Sequence, residues 1–316
     1  MGLKQTDRIF VAGHRGMVGS SILRLFQSEG YPNLITRTRS ELDLADSAAV
    51  ESFFRYECPE VVILAAAKVG GIKANMEHPA EFLRENLCIQ SNVIHQAWKS
   101  GVKKLCFLGS SCIYPRECPQ PIKEEYLLTG PLEPTNEGYA IAKIAGYKMC
   151  LYYSKEYGFD TISLMPCNLY GTNDDFNLET CHVLSALVRR FVDAADCGAA
   201  EISLWGTGTP RREFMHVDDL AAAVLFMLDK REEPEVINVG TGTDITIAEL
   251  AKLIANTVGY CGKIKWESSS VPDGMPRKCM DVSRMLDSGF QPRIGLKDGI
   301  IRTIAEYRER KAKGDL

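Results

Sequence analysis

Short apolar segments alternate with longer amphipathic segments over the first half of the chain. The apolar runs between residues 8 and 171 are RIFVAG, NLITRT, EVVILAA, KKLCFLGS and TISLMPCNLYG. Between them, apolar residues spaced three and four apart predict helices at Met17–Glu29, Ser47–Tyr56, Pro79–Ser100 and Tyr139–Tyr157. Strands that alternate with helices form parallel sheets with both faces covered. The sequence therefore predicts an α/β fold with a Rossmann-type doubly wound parallel sheet.

The pattern loosens after residue 171. The segments EISLWGTGTPRREFMHVDDL and EVINVGTGTDITIAEL are each expected to contain a strand, a turn and the start of a helix. We expect residues 171–316 to form a smaller C-terminal α/β lobe that binds the substrate. Residues 1–170 would form the first domain, to which part of 214–235 would return.

Composition argues against several classes of partner. The net charge of −4 provides no basic field for nucleic acid or an anionic membrane, and there is no apolar run of about 18 residues. The eleven cysteines include no C-x-x-C pair, so we expect reduced thiols and no metal site. A soluble cytoplasmic protein is the expectation.

Three glycines in VAGHRGMVGS follow the first predicted strand and open the first predicted helix. Gly13, Gly16 and Gly19 would allow a tight turn and the close approach of a pyrophosphate to the helix N-terminus. Such a motif is weak alone and can be a turn without a ligand. Its position at the head of a βαβ array favours a dinucleotide site.

The end of the second strand indicates which dinucleotide binds. Sites that prefer NAD usually carry a carboxylate there, whereas ITRTRSELDL places Arg37 and Arg39 at this point, with Arg15 in the glycine loop. Guanidinium groups bind an additional phosphate, so NADP(H) is favoured. Alternation along the strand favours Arg39 as the residue that binds this phosphate, and Arg37 could be a solvated loop residue. Asp43 and Leu44 could border the adenine.

A tyrosine and a lysine four residues apart lie on one face of a predicted helix. Tyr139 and Lys143 are this pair, and Ser110 and Ser111 end the preceding strand, where open α/β sheets bind ligands. The ammonium is expected to lower the pKa of the phenol. Ser110 would bind the reacting oxygen while Tyr139 exchanges a proton with it, beside a nicotinamide. The alternative is a surface pair on an amphipathic helix.

Motifs along nearly the whole chain carry a family resemblance. They are GHRGMVGS, LAAAKVGGI, FLGSSCIYP, LEPTNEGYAIAKIAG, PCNLYG, CHVLSALVRRF, LWGTGTPRREFMHVDD and VPDGMPRK. Together they resemble the bifunctional GDP-sugar epimerase-reductases of the extended short-chain dehydrogenase/reductase family. The resemblance implies that GDP-4-keto-6-deoxy-D-mannose is inverted at C3 and C5 and reduced at C4 with NADPH.

The resemblance also assigns roles to individual residues. Ser110, Tyr139 and Lys143 match the family triad, Cys112 matches the epimerisation base and His182 matches the paired acid. The chemistry is reasonable because protons next to a ketone are acidic enough for a thiolate to remove, and inversion needs a second group on the opposite face. From the residues alone, Cys112 and His182 could instead be structural.

Ligand contacts implied by the resemblance fall in both halves of the chain. Substrate-binding positions are Arg190, Trp205, Arg212, Asp273 and Lys278, although Trp205 could instead be core. The expected cofactor-binding residues are Gly13, His14, Arg15, Gly16, Met17, Val18, Gly19, Arg39, Ser40, Glu41, Leu42, Asp43, Leu44, Leu108, Gly109, Ser110, Ser111, Lys143, Pro166, Cys167, Asn168, Leu169 and His182. The segment YGTNDDFNLETCH shapes the sugar pocket and leaves the exact sugar open.

Other functions remain possible at this point. One is a C4-reductase without epimerase activity on a related GDP-4-keto-6-deoxy sugar, such as a heptose. Another is a C4-epimerase or 4,6-dehydratase, but dehydratases carry an Asp-Glu pair where this chain has Ser111 and Cys112. A non-catalytic NADP sensor would tend to lose the tyrosine or the lysine. The resemblance also suggests a homodimer formed through the helices Pro79–Ser100 and Tyr139–Tyr157.

Overall fold

The computed structural model describes residues 2–230, 236–267 and 274–315. Its strands are Ile9–Ala12 (β1), Leu34–Ile35 (β2), Val61–Leu64 (β3), Lys104–Leu108 (β4), Thr161–Pro166 (β5), Asn168–Tyr170 (β6), Glu201–Trp205 (β7), Arg211–His216 (β8), Val236–Val239 (β9), Asp244–Thr246 (β10), Lys263–Glu267 (β11) and Arg277–Lys278 (β12). Its helices are Met17–Ser28 (α1), Ser47–Glu57 (α2), Ile72–Glu77 (α3), Pro79–Lys99 (α4), Glu137–Tyr157 (α5), Val183–Cys197 (α6), Val217–Asp229 (α7), Ile247–Val258 (α8), Ser283–Asp287 (α9) and Leu296–Lys313 (α10). No helix in these ranges is long and apolar enough to cross a membrane.

The larger sheet is parallel and has the strand order β2-β1-β3-β4-β5-β9. This confirms the predicted Rossmann-type fold. The chain moves from β1 outward to β2 and then returns to β3 on the other side of β1. Such a reversal leaves a crevice at the carboxyl ends of β1 and β3, where ligands of open α/β sheets bind.

Local signals explain why the predicted helices begin and end close to the observed bounds. The carboxylate of Asp46 accepts hydrogen bonds from the backbone N–H groups of Ala48 and Ala49, at 2.9 and 3.1 Å, and caps α2. Pro79 occupies the first turn of α4, and Gly158 ends α5 with φ of 68°. Helices α4 and α5 pack side by side, as α1 and α7 do.

The second half of the chain contributes to two cores. Strand β8 lies between β10 and β12 and also pairs with β6, while β7 pairs with β11. Each of the segments predicted to hold one strand contains two. EISLWGTGTPRREFMHVDDL includes β7 and β8, and EVINVGTGTDITIAEL includes β9 and β10. Apolar residues of α6, α8 and α10 form the smaller core. The core of the larger sheet includes Met215, Val239, Met275 and Phe290. The part of the second half that packs against this sheet is therefore larger than the predicted part of 214–235.

The eleven cysteines are all unpaired. Cys106 and Cys150 are buried in the larger core, and burial raises the pKa of both thiols, that of Cys150 to about 12. Thiols of this kind are inert packing residues. Cys112 differs from them because its side chain lines a cavity.

Candidate active site

A cavity of about 880 Å3 lies where the carboxyl ends of the larger sheet meet the smaller lobe. Its walls include the glycine loop after β1, the ends of β2, β3, β4 and β5, the start of α6, and residues of β7, β8 and β12. This is within the usual size range of pockets that enclose small organic ligands. The fold therefore brings together segments that are far apart in sequence.

Two of the three glycines in the loop after β1 have no room for a side chain. Gly13 has φ of 85°, and a Cβ there would lie 2.7 Å from the Cα of Ala66. A Cβ on Gly19 would lie 2.2 Å from the carbonyl oxygen of Gly13. Gly16 is different, because the nearest atom to a Cβ there is at 3.6 Å. Internal packing thus explains two glycines, whereas a Cβ on Gly16 would make only an ordinary van der Waals contact at the start of α1, where a phosphate can approach.

The two arginines after β2 have different partners. The guanidinium of Arg37 forms an ion pair with Glu57 and lies 5.7 Å from the centre of the Phe53 ring. The side chain of Arg39 is 75% exposed, and its guanidinium lies 3.6 Å from the carboxylate of Glu85. Both arginines line the cavity. Arg39 thus has the more exposed guanidinium of the two, and its role in binding a phosphate stays a prediction.

Most candidate residues for the cofactor and substrate line this cavity. They are Gly13, Gly16, Met17, Val18, Gly19, Arg39, Leu42, Asp43, Leu44, Leu108, Gly109, Ser110, Ser111, Lys143, Pro166, Cys167, Asn168, Leu169, His182, Arg190, Trp205, Arg212 and Lys278. Four candidates within the described residues do not line it, namely His14, Arg15, Ser40 and Glu41. Glu41 instead accepts a hydrogen bond from the backbone N–H of Thr38 at 2.7 Å. Asp273 lies outside the described residues.

Ser110, Tyr139 and Lys143 meet at the end of β4. Tyr139 is hydrogen-bonded to Ser110. The ammonium of Lys143 lies 5.8 Å from the centre of the Tyr139 ring and donates a hydrogen bond to the carbonyl oxygen of Leu108 at 2.7 Å. This lysine is 4% exposed. Burial lowers its pKa to about 8, so it still carries a proton at pH 7.

The expectation that Lys143 lowers the pKa of Tyr139 is wrong for this structure. Burial raises the pKa of the phenol, the charge of Cys112 raises it further, and only the hydrogen bond with Ser110 opposes these effects. The physical reason is that burial makes a phenolate costly, while the lysine is directed to the Leu108 carbonyl. Tyr139 is therefore protonated, which suits a proton donor.

Cys112 lies just beyond β4, where the chain turns through the short 3-10 helix Ser111–Ile113. The hydroxyl of Ser110 accepts a hydrogen bond from the backbone N–H of Cys112 at 3.2 Å, which holds this turn. The sulfur accepts hydrogen bonds from Nδ2 of Asn136 at 3.3 Å and from Nζ of Lys278 at 3.5 Å. Two hydrogen-bond donors therefore reach this sulfur.

His182 immediately precedes α6 and lines the cavity. The surrounding protein atoms lower its pKa, the positive charge of Lys278 lowers it further, and the negative charge of Asp175 acts in the opposite direction. A protonated His182 is therefore a stronger acid than an ordinary histidine. The cavity thus contains a thiol that can become a base and an imidazole that can become an acid.

Cations and tryptophans surround the part of the cavity next to the smaller lobe. The guanidinium of Arg190 lies 5.5 Å from the centre of the Trp205 ring, and Trp205 is 58% exposed. Lys278 of β12 is the register partner of Arg212 in β8, so the two side chains lie on one face of the sheet. A flat exposed ring beside several cations can hold a base and a diphosphate.

Some lining residues were missed by the sequence reasoning. Asn136 is three residues before Tyr139, a spacing that places two residues on one helix face and could have identified it. Lys68 follows β3, and the rule that ligands bind at strand ends could have found it. Trp266 of β11 gave no comparable signal, because its place depends on pairing with β7.

Fold and site together define a dinucleotide-dependent enzyme of the short-chain dehydrogenase/reductase type. A model of the NAD dependent epimerase/dehydratase family matches residues 9–240. GDP-L-fucose synthase 1 of Arabidopsis thaliana is 56% identical over 303 residues, which cover 96% of this chain and 94% of that protein. The chain belongs to the NAD dependent epimerase/dehydratase family and, within it, to the GDP-L-fucose synthases.

Solved structures give the same fold. A GDP-L-fucose synthetase from Naegleria fowleri bound to NADP has a TM-score of 0.90 and 27% identity, with 100% of this chain and 97% of that chain covered. A GDP-6-OMe-4-keto-L-xylo-heptose reductase from C. jejuni has a TM-score of 0.91 and 36% identity, with 98% of this chain and 100% of that chain covered. The structural relatives thus include a GDP-L-fucose synthetase and a reductase of another GDP-sugar.

Proposed function

We propose that this protein uses NADPH to convert GDP-4-keto-6-deoxy-D-mannose to GDP-L-fucose, by epimerisation at C3 and C5 and reduction at C4. The observation that carries the proposal is that Ser110, Cys112, Tyr139, Lys143 and His182 line one cavity. The high identity to GDP-L-fucose synthases along nearly the whole chain supports it. A reductase alone would need the proton donor but neither the thiol nor the imidazole.

Epimerisation uses the acidity of the carbon atoms next to the ketone. The thiolate of Cys112 takes a proton from C3, the C–H electron pair becomes part of an enolate, and the negative charge moves to the C4 oxygen. Ser110 and Tyr139 would hydrogen-bond that oxygen. Protonated His182 returns a proton to the carbon from the opposite face, which inverts it. Proton exchange with solvent then returns Cys112 to the thiolate and His182 to its protonated form, after which the same two groups act at C5.

Reduction follows at the C4 carbonyl. NADPH, when bound, supplies the hydride. Tyr139 donates its proton to the C4 oxygen as the carbonyl becomes a hydroxyl, and its raised pKa keeps that proton available at neutral pH. Lys143 is buried beside it as a cation that can hold a ribose hydroxyl. Gly13, Gly16 and Gly19 would hold the pyrophosphate at the start of α1.

Arg39→Asp should weaken NADPH binding far more than NADH binding. The two cofactors differ by one phosphate, and Arg39 has the more exposed guanidinium after β2, with its Glu85 partner 3.6 Å away. We expect the ratio of the Kd for NADH to the Kd for NADPH to fall at least about tenfold, which is the scale for losing a charged hydrogen bond. Fluorescence titration of both cofactors measures it.

Arg37→Asp is the control for that experiment. Its guanidinium is already paired with Glu57, so its loss should change the ratio much less. If Arg39→Asp leaves the ratio unchanged while Arg37→Asp lowers it, Arg37 binds the phosphate and the assignment is wrong.

The proposed function includes a location and an assembly. All eleven cysteines are unpaired, as expected in a reducing compartment, so we place the protein in the cytoplasm.

Ile141 and Tyr152 on α5 are 43% and 57% exposed and lie on nearly one helix face. We propose that this face, with α4, forms a homodimer interface. Light scattering should give the mass of two chains, and the mass of one chain would refute the dimer.

The test of the proposed function is the identity of the product. Incubation with GDP-4-keto-6-deoxy-D-mannose and NADPH should give GDP-L-fucose. A C4-reduced sugar with unchanged C3 and C5 would support the reductase alternative, which the solved heptose reductase favours.

A further inference from the structure

The side chain of Lys278 lies at the epimerisation base. Its Nζ donates a hydrogen bond to the sulfur of Cys112 at 3.5 Å, and Nδ2 of Asn136 donates to the same sulfur at 3.3 Å. Family resemblance instead assigns Lys278 to binding of the substrate's nucleotide part. The structure therefore places the ammonium of Lys278 beside the thiol of Cys112, and not only at a nucleotide-binding position.

Hydrogen bonds of the chain hold this arrangement in place. The N–H of Ile122 donates to the carbonyl of Cys279 at 2.8 Å, and the N–H of Asp281 donates to the carbonyl of Ile122 at 2.8 Å. The N–H of Cys279 also donates to Oε1 of Gln120 at 2.9 Å. The residues that follow Lys278 are thus bonded to the loop that follows Cys112. The contact between lysine and sulfur is anchored on both sides.

A second anchor lies beneath the same segment. Glu213 is fully buried, and its carboxylate accepts hydrogen bonds from the N–H groups of Met280 at 2.8 Å and Gly242 at 2.7 Å. Met280 is two residues after Lys278. Because the backbone groups that directly follow Lys278 are held by these bonds, β12 has little freedom to move Lys278 away from the sulfur.

The charge of Lys278 also acts on His182, whose pKa it lowers. A cation at this position favours a negative Cys112 and disfavours a positive His182. The first effect makes a better base of the thiol, and the second makes the protonated imidazole a stronger acid. One side chain thus contacts the thiol and acts on the imidazole of the inversion.

We propose that Lys278 is a positioning residue for epimerisation, which together with Asn136 holds Cys112 as the thiolate that removes the C3 and C5 protons. This inference rests on the proposed function, because it assigns Lys278 to one of its half-reactions. In each removal the C–H bond breaks, an S–H bond forms, and the electron pair enters the enolate. Arg190 and Arg212, which also line the cavity, remain to bind the diphosphate.

Lys278→Met tests the proposal because methionine keeps the length of the side chain without the charge. Iodoacetamide alkylation of Cys112 at pH 7, followed by mass spectrometry of its peptide, should slow about tenfold, since a nearby opposite charge favours the ionised form by about that much or more. Deuterium exchange from solvent into C3 and C5 should slow as well. The affinity for GDP should change less than about threefold, because two arginines remain at the diphosphate.

Two further variants serve as controls. Lys278→Arg keeps the positive charge. The alkylation rate of Cys112 in this variant should therefore lie within about threefold of the wild-type rate. Arg277→Met removes a charge from the same strand, where the guanidinium pairs with Asp244, and should leave alkylation of Cys112 unchanged.

Each outcome of the experiment decides the proposal. The proposal is overturned if Cys112 is alkylated at the wild-type rate in Lys278→Met. A large loss of GDP affinity in that variant would then show that Lys278 binds the diphosphate. Equal losses in Lys278→Met and Lys278→Arg would also overturn it, because the charge would then be irrelevant. If the wild type shows no exchange at C3 and C5, the proposed epimerisation fails, while slow alkylation in Lys278→Met would still support the contact with the thiolate.

Discussion

Replacing Tyr139 by phenylalanine is expected to lower the rate of C4 reduction at least about a hundredfold, the usual scale for losing a positioned proton donor. The phenol is hydrogen-bonded to Ser110 and keeps its proton because burial raises its pKa. Phenylalanine preserves the ring beside Lys143 and removes only the hydroxyl. Oxidation of NADPH, followed by absorbance with the keto sugar as substrate, measures the rate.

Tyr153→Phe is the matched control for this variant. Tyr153 is on the same helix, α5, and its hydroxyl bonds Nδ1 of His95 at 2.8 Å, outside the cavity. It should oxidise NADPH at nearly the wild-type rate. Near-normal turnover by Tyr139→Phe would remove Tyr139 from the mechanism.

Replacing Cys112 by serine should nearly abolish exchange of solvent deuterium into C3 and C5 of the keto sugar. A hydroxyl ionises far less readily than a thiol and is a much poorer base at neutral pH. We expect a loss of at least about a hundredfold in the exchange rate, measured by NMR, with NADPH binding unchanged. The Tyr139→Phe variant should behave oppositely and exchange deuterium without oxidising NADPH.

Cys118→Ser is the control for that loss, because Cys118 lies in the same loop after β4 but outside the residues that line the cavity. It should exchange at the wild-type rate. Exchange at that rate by Cys112→Ser would mean that the thiol of Cys112 is a packing residue.

Features that depend on local sequence were predictable. Strands such as Val61–Leu64 are buried apolar runs, and helices such as α2 and α4 carry a capping aspartate or an early proline. The parallel order follows from the alternation of these elements. Candidate residues at Gly13 and Ser110 could be identified because ligands of such sheets bind where strands end.

Features that depend on contacts between distant segments were not predictable. Lys278 reaches Cys112 across 166 residues of sequence, and no spacing pattern encodes that contact. The pKa of Tyr139 was misjudged because the position of the Lys143 ammonium, directed to the Leu108 carbonyl, depends on packing against β4. Short strands such as β12 carry no periodic signal, because two residues are too few to show one.

The most direct test of the proposed function is the structure of the product formed in deuterated water. The protein is incubated with GDP-4-keto-6-deoxy-D-mannose and NADPH, and NMR assigns the configuration and the isotope at each ring carbon. We expect GDP-L-fucose with deuterium at C3 and C5 and protium at C4, since the first two hydrogens come from solvent and the third from NADPH. A product reduced at C4 that retains the D-manno configuration and protium at C3 and C5 would contradict the proposed epimerisation.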